Sequence, residues 1–132
     1  MKLLIDTNIL IWWFTDDPKL GSRARSFIAE ASGETLVSVA TFWEMSIKWG
    51  IGKIDTRGSA AMQVAQDAGF KILDIAPVQL ELLEKLEPID GHNDPFDRII
   101  LVQAISEQAL LMTSDRHMRA YDVRTYDKRL DR

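Results

Sequence analysis

Four acidic residues sit where a carboxylate is hard to account for as simple surface. Asp6 directly follows the apolar run Leu3-Leu4-Ile5, and Asp115 closely follows another, Leu110-Leu111-Met112. Runs of this kind are expected to be strands buried on both faces of a parallel sheet. Ligands of such sheets bind beyond the carboxyl ends of the strands, which is where both acids fall. The plainer reading is that each caps a following helix, as Asp often does. Glu44 is spaced to share a helical stripe with Ala40, Trp43, Ile47 and Ile51, and Asp97 to share one with Ile100, Leu101 and Ala104. A carboxylate on an apolar face must be paired, hydrogen-bonded or bound to a cation. For Glu44 the competing explanation is an ion pair with Lys48 one turn on. The other side of its helix is also apolar (Phe42, Met45, Trp49), so neither side is plainly solvent.

Carboxylates gathered at one end of a sheet repel one another unless a proton or cation intervenes. The chain has no cysteine and only two histidines, His92 and His117, so the available donors are mostly oxygen. An all-oxygen set points to Mg2+ or Mn2+ rather than zinc. A site of that type activates water and neutralises phosphate oxygens, so the expected chemistry is phosphodiester hydrolysis. Thr7, Asn8 and Thr113 could add neutral oxygens or orient the acids. Asp94 is expected mainly as a helix N-cap, with Pro95 at the first helical position and Asp97 at the third. Arg98 and Arg116 lie beside site acids and could bind phosphate or offset charge, and His92 is expected as a loop hydrogen-bonding residue.

The elements that would position these residues alternate. Leu3–Ile5 is the first expected strand, followed at Asp6-Thr7-Asn8 by a strand-to-helix turn. Helices are expected from about Ser22, as its cap, to Ala31, and from Ala40 to Trp49, the latter terminated by Gly50 and Gly52. Strands are expected at Leu36–Ser38 and Phe70–Leu73, with a helix over Ser59–Ala68 between them. Pro77 starts a leucine-rich helix to about Leu86, and Asp94-Pro95 opens one to about Gln108. Leu110–Met112 is a fourth buried strand, and Val123–Tyr126 a candidate edge strand. Alternation of this kind implies βαβ units, a mainly parallel sheet and helices on both faces.

The chain's 132 residues suit one domain with a sizeable core, spanning 1–132, and 46% hydrophobic with 27% charged residues is ordinary globular composition. No apolar run approaches the roughly 20 residues of a membrane helix. Met1–Ile5 is too short for a signal peptide, which makes a cytoplasmic protein the expectation. The net charge of −4 is unevenly spread: from Arg116 onward six basic residues face three acids, while the rest of the chain is acidic. A basic end beside an acidic body fits phosphate contacts next to a carboxylate site, although a solvated tail would look the same.

Taken in order, Ile5-Asp6-Thr7-Asn8-Ile9-Leu10, Glu44, Asp97 and Leu111-Met112-Thr113-Ser114-Asp115 resemble the four acidic motifs of PIN domains. His92-Asn93-Asp94-Pro95-Phe96-Asp97-Arg98 resembles the His-x-Asp-Pro-Phe-Asp-Arg signature of a subgroup of VapC-type toxins. The resemblance spans nearly the whole chain. It implies a three-layer α/β/α sandwich and a Mg2+- or Mn2+-dependent endoribonuclease acting on RNA. It also implies a homodimer and inhibition by a VapB-type antitoxin. Asp6, Glu44, Asp97 and Asp115 would then be metal ligands or their close supports, with Glu44 either ligating or deprotonating water, and with Asp94 a supporting residue that could reach the metal through water.

Two other readings compete. A haloacid-dehalogenase-like phosphohydrolase would use Asp6 as nucleophile, but it wants a second acid two residues on, where this chain has Asn8. A non-catalytic binding module of the same fold would use its acids only as caps, which leaves Glu44 without a purpose.

Overall fold

The computed structural model describes residues 2–31, 33–87 and 94–114. In chain order these form β1 (Leu3–Ile5), α1 (Thr7–Phe14), α2 (Ser22–Glu30), β2 (Thr35–Ser38), α3 (Val39–Gly50), α4 (Gly58–Asp67), β3 (Lys71–Leu73), α5 (Pro77–Lys85), α6 (Pro95–Glu107) and β4 (Leu110–Met112). The candidate strand at Val123–Tyr126 lies outside the described residues, as do His92, Asp115, Arg116 and the basic C-terminal end.

The four strands pair in the order β3-β2-β1-β4, every neighbour parallel. Leu4 stands level with Leu36 on one side and Leu111 on the other, and Ile5 with Val37 and Met112. Strand side chains alternate between faces, and this divides the core in two. Leu3, Ile5, Val37 and Met112 pack with Ile9 and Leu10 of α1, Ala24 and Ile28 of α2, Phe42 and Met45 of α3, and Ala61 and Ala65 of α4. Leu4, Leu36 and Leu111 pack beneath Ile100, Leu101 and Ala104 of α6, with Leu82 and Leu83 of α5 against them. This is the expected α/β/α sandwich, with strands apolar on both faces because helices cover both. Burying a Leu or Ile fully is worth about 1.5–3 kcal/mol each, and β1 contributes three such residues.

Helix boundaries fall within a residue or two of expectation, with one difference in capping. The N-cap of α2 is Gly21, not Ser22. Gly21 is extended, and its carbonyl accepts the first helical bond from the Arg25 N–H, so Ser22 is already inside the first turn. On the second layer, Gln103 of α6 donates from Nε2 to the Asp74 carbonyl at 3.2 Å and to Gln79 Oε1 of α5 at 3.1 Å. The same Gln79 oxygen accepts from the Ala76 N–H at the start of α5. These buried amides fix α5 against α6, which carries Asp97. No helix among the described residues is long and apolar enough to cross a membrane.

Candidate active site

The strand order reverses at β1: the chain moves outward through β2 and β3, then returns to β1's other side with β4. In open α/β sheets the two loops diverge at that point and leave a crevice beyond the carboxyl ends. Asp6 leaves β1 there, and Thr113 and Ser114 leave β4 beside it. The Asp6 N–H donates to the Met112 carbonyl at 3.1 Å, which extends the ladder by one residue.

The side chains of Asp6, Thr7 and Asn8 each tie a different pair of elements together. Asp6 Oδ1 accepts from the Ile9 N–H at 2.9 Å, capping α1. Asp6 Oδ2 accepts from the Thr113 hydroxyl at 2.6 Å and the Ser114 N–H at 3.2 Å. Thr7 shares a buried hydrogen bond of 3.0 Å with Thr41 on α3, a turn before Glu44. Asn8 Nδ2 donates to Ser114 Oγ at 3.1 Å. Capping and site-building are therefore not alternatives at Asp6, because one oxygen caps the helix while the other is held toward β4.

Asp6 is only 3% exposed. Burial pushes its carboxyl above the ordinary Asp range. The hydrogen bonds from Thr113, Ile9 and Ser114 pull the other way without cancelling burial, and the nearby charge of Glu44 adds to the rise. A carboxylate buried with a second acid close by is an arrangement that a bound cation would relieve.

Glu44 borders the same cleft, but not for the reason its spacing suggests. Trp43 and Ile51 are 59% and 63% exposed, and Ile47 is exposed too, so beyond the buried Ala40 that stripe faces solvent. The inward face of α3 is Ala40, Thr41, Phe42 and Met45. Both faces are apolar, and packing against the sheet and α4 selects the one centred on Phe42 and Met45. Glu44 lies at the border, with its side chain 12% exposed and Oε2 3.0 Å from Lys48 Nζ. The ion pair with Lys48 therefore exists, and it exists inside the cleft.

Asp94 is the N-cap of α6, accepting from the Phe96 N–H at 2.8 Å and the Asp97 N–H at 3.0 Å. Asp97 is half-buried in the first turn, while Ile100, Leu101 and Ala104 below it are buried against the sheet, as its stripe implies. Next to the two acids on α3 and α6, the Trp43 and Phe96 rings meet edge to face with centroids 5.0 Å apart. This contact joins the helix segments that carry Glu44 and Asp97.

Together Asp6, Thr7, Asn8, Glu44, Lys48, Asp94, Asp97 and Ser114 line one cleft of about 170 Å3, room for several water molecules. Thr113 supports Asp6 from behind. Arg98 is not among the lining residues, and its guanidinium donates to the Leu86 carbonyl at 3.2 Å, tying α6 to the end of α5. Among the aromatic residues near these elements, Phe42 is buried. Trp12, Trp13 and Phe14 pack at the edge of the first core, and Trp49 is exposed beneath the Arg57 guanidinium. Lys48 and Ser114 line the cleft without having been marked by their spacing as site residues. Ser114 could have been suspected from its place between Thr113 and Asp115.

The donor set suits a hard divalent cation: four carboxylates, hydroxyls and an amide oxygen, with no sulfur. Three of the roughly four lone-pair positions of the Asp6 carboxylate are taken by these hydrogen bonds. Among the described residues no three acids stand close enough to ligate one ion as they are. Glu44 already has one oxygen, Oε2, engaged by the Lys48 ammonium.

A sequence profile of the PIN domain matches residues 3–124. No curated protein matches the sequence significantly. Among solved structures, the chain is similar to VapBC2 from Rickettsia felis, solved bound to a promoter DNA fragment, at 15% identity and a TM-score of 0.70, covering 96% of this chain and 98% of that one. It is similar to VapBC-1 from nontypeable Haemophilus influenzae at 20% identity and 0.67, covering 96% and 98%. Mycobacterium tuberculosis VapC20, described as a Sarcin-Ricin loop cleaving toxin, matches at 13% identity and 0.67, covering 92% and 96%. At these identities the structures attest the fold, while the profile covers most of the sequence: the chain belongs to the PIN-domain family.

Proposed function

We propose that this protein is a Mg2+- or Mn2+-dependent endoribonuclease, the toxin of a VapBC-type toxin–antitoxin pair. The observation that carries the reading is the convergence of Asp6, Glu44, Asp94 and Asp97 on one cleft at the switch point of a PIN fold. Asp6 and Asp97 would hold the cation with Asp115 and, once released from Lys48, Glu44. A divalent ion bound there would lower the pKa of an attacking water and offset charge on the scissile phosphate. The chain's own part is orientation. Three hydrogen bonds fix the Asp6 carboxylate, and the Asp94 cap fixes the first turn bearing Asp97. Glu44 is placed either to complete the ligand set or to accept the water's proton. Hydrolysis then proceeds without a covalent intermediate. The substrate, the VapB-type antitoxin and a homodimeric state are proposed from the family resemblance and from the solved VapBC complexes that share the fold.

The test is cleavage of RNA by protein freed of any co-purifying inhibitor. Cleavage should require Mg2+ or Mn2+, stop with EDTA, and fall by roughly a hundredfold or more in Asp97→Asn, the scale of losing a group that stabilises charge in the transition state. Cleavage that survives both EDTA and Asp97→Asn would overturn the metal mechanism.

A further inference from the structure

The cleft's lining contains four carboxylates and, among the described residues, one cationic side chain, Lys48. The Glu44–Lys48 pair has the helical spacing and order that favour an ordinary surface bridge. Its surroundings are not those of a surface bridge, however. The Glu44 side chain is mostly buried while Lys48 is 37% exposed, so the lysine is the solvent-facing member of a pair that lines the cleft. Asp6, already disfavoured as an anion by burial, feels the charge of the same Glu44.

We infer that Lys48 is a two-position residue of this site. Without a divalent ion its ammonium pairs with Glu44 and partly neutralises the acids. When an ion takes over Glu44, the ammonium turns to the phosphate of the incoming strand. The chemistry is an exchange of partners. A divalent cation competes with Lys48 for one carboxylate, and the released lysine, long, flexible and at the cleft's exposed rim, meets the next anion to arrive. No bond is made or broken, and the substrate recognised is a phosphodiester oxygen. This role rests on the proposed nuclease reading and adds to it a phosphate contact from α3, a helix that otherwise supplies only an acid.

The exchange predicts effects of opposite sign, which loss of structure would not produce. In Lys48→Met, Mn2+ should bind roughly three- to tenfold more tightly by titration calorimetry, since one like charge has left the site. A short single-stranded RNA, measured by fluorescence anisotropy with Ca2+ in the buffer, should bind more weakly. The slope of its log affinity against log salt should flatten by about 0.7, the change expected for one lost phosphate contact on a single strand. Lys48→Arg, which keeps the charge, should stay near native in both measurements. Lys48→Met matching native in Mn2+ and RNA affinity, or weakening both together, would overturn the role of Lys48 while leaving the nuclease reading intact. Native protein that takes up no Mn2+ would overturn both. Native protein that binds Mn2+ but no RNA would overturn the phosphate role and the RNA substrate while keeping the cation site.

Discussion

Asp6 is a carboxyl buried at the end of β1 and pushed above its usual range by that burial. The sign of the consequence follows from linkage. Because its folded pKa lies above the unfolded value near 3.8, the native state holds its proton longer than the unfolded state does. Stability contributed by Asp6 is therefore full below that value and is lost as pH rises through the folded pKa. In metal-free buffer, native stability measured relative to Asp6→Asn should fall as pH is raised from about 4 toward neutrality, since Asn cannot ionise. Urea denaturation at a series of pH values checks this, and a difference that is flat or rises with pH would contradict it. Asp6 was legible in the sequence because an acid directly after a buried strand has few places to go. Glu44 was legible for the wrong reason. Periodicity placed it on an apolar stripe with Ala40, Trp43, Ile47 and Ile51, yet all of these but Ala40 are exposed. A helix apolar on two sides does not announce which side the sheet will take.

The elements matter as carriers of fixed distances. α3 carries Glu44 and Lys48, and its far side is pressed closely by α4. Gly58 opens α4 where a Cβ would overlap Ser46 Oγ and the Phe42 carbonyl, so any side chain forces the helices apart. Gly58→Ala should lower stability by about 1–3 kcal/mol, the usual cost of overpacking. The exposed neighbour substitution Ser59→Ala should stay within about 0.5 kcal/mol. Denaturant midpoints test the pair, and Gly58→Ala at native stability would refute the close approach. Most elements were legible from the sequence, because Pro77, Asp94-Pro95 and the apolar runs mark starts and strands by local chemistry. The sequence places this helix over Ser59–Ala68, and it starts one residue earlier, at Gly58. A close approach between helices is a tertiary fact with no local signature.

At the scale of the whole molecule, the order β3-β2-β1-β4 makes a site of scattered residues. Parallel alternation was predictable from strands apolar on both faces, but the return of β4 to β1 was not, since a short apolar run such as Leu110–Met112 does not say which strand it will pair with. That return brings Thr113 and Ser114 onto Asp6 from more than a hundred residues away. Two helices then lean Glu44 and Asp97 over the same opening, with the Trp43–Phe96 contact between them. The account's central claim is that this opening holds a divalent ion on carboxylate oxygens. Anomalous diffraction from crystals of the protein soaked in Mn2+ tests it most directly. The account predicts a peak within coordination distance of Asp6 and Asp97, with Lys48 withdrawn from Glu44. A Mn2+ peak elsewhere on the molecule, with this cleft empty in protein that cleaves RNA, would contradict it.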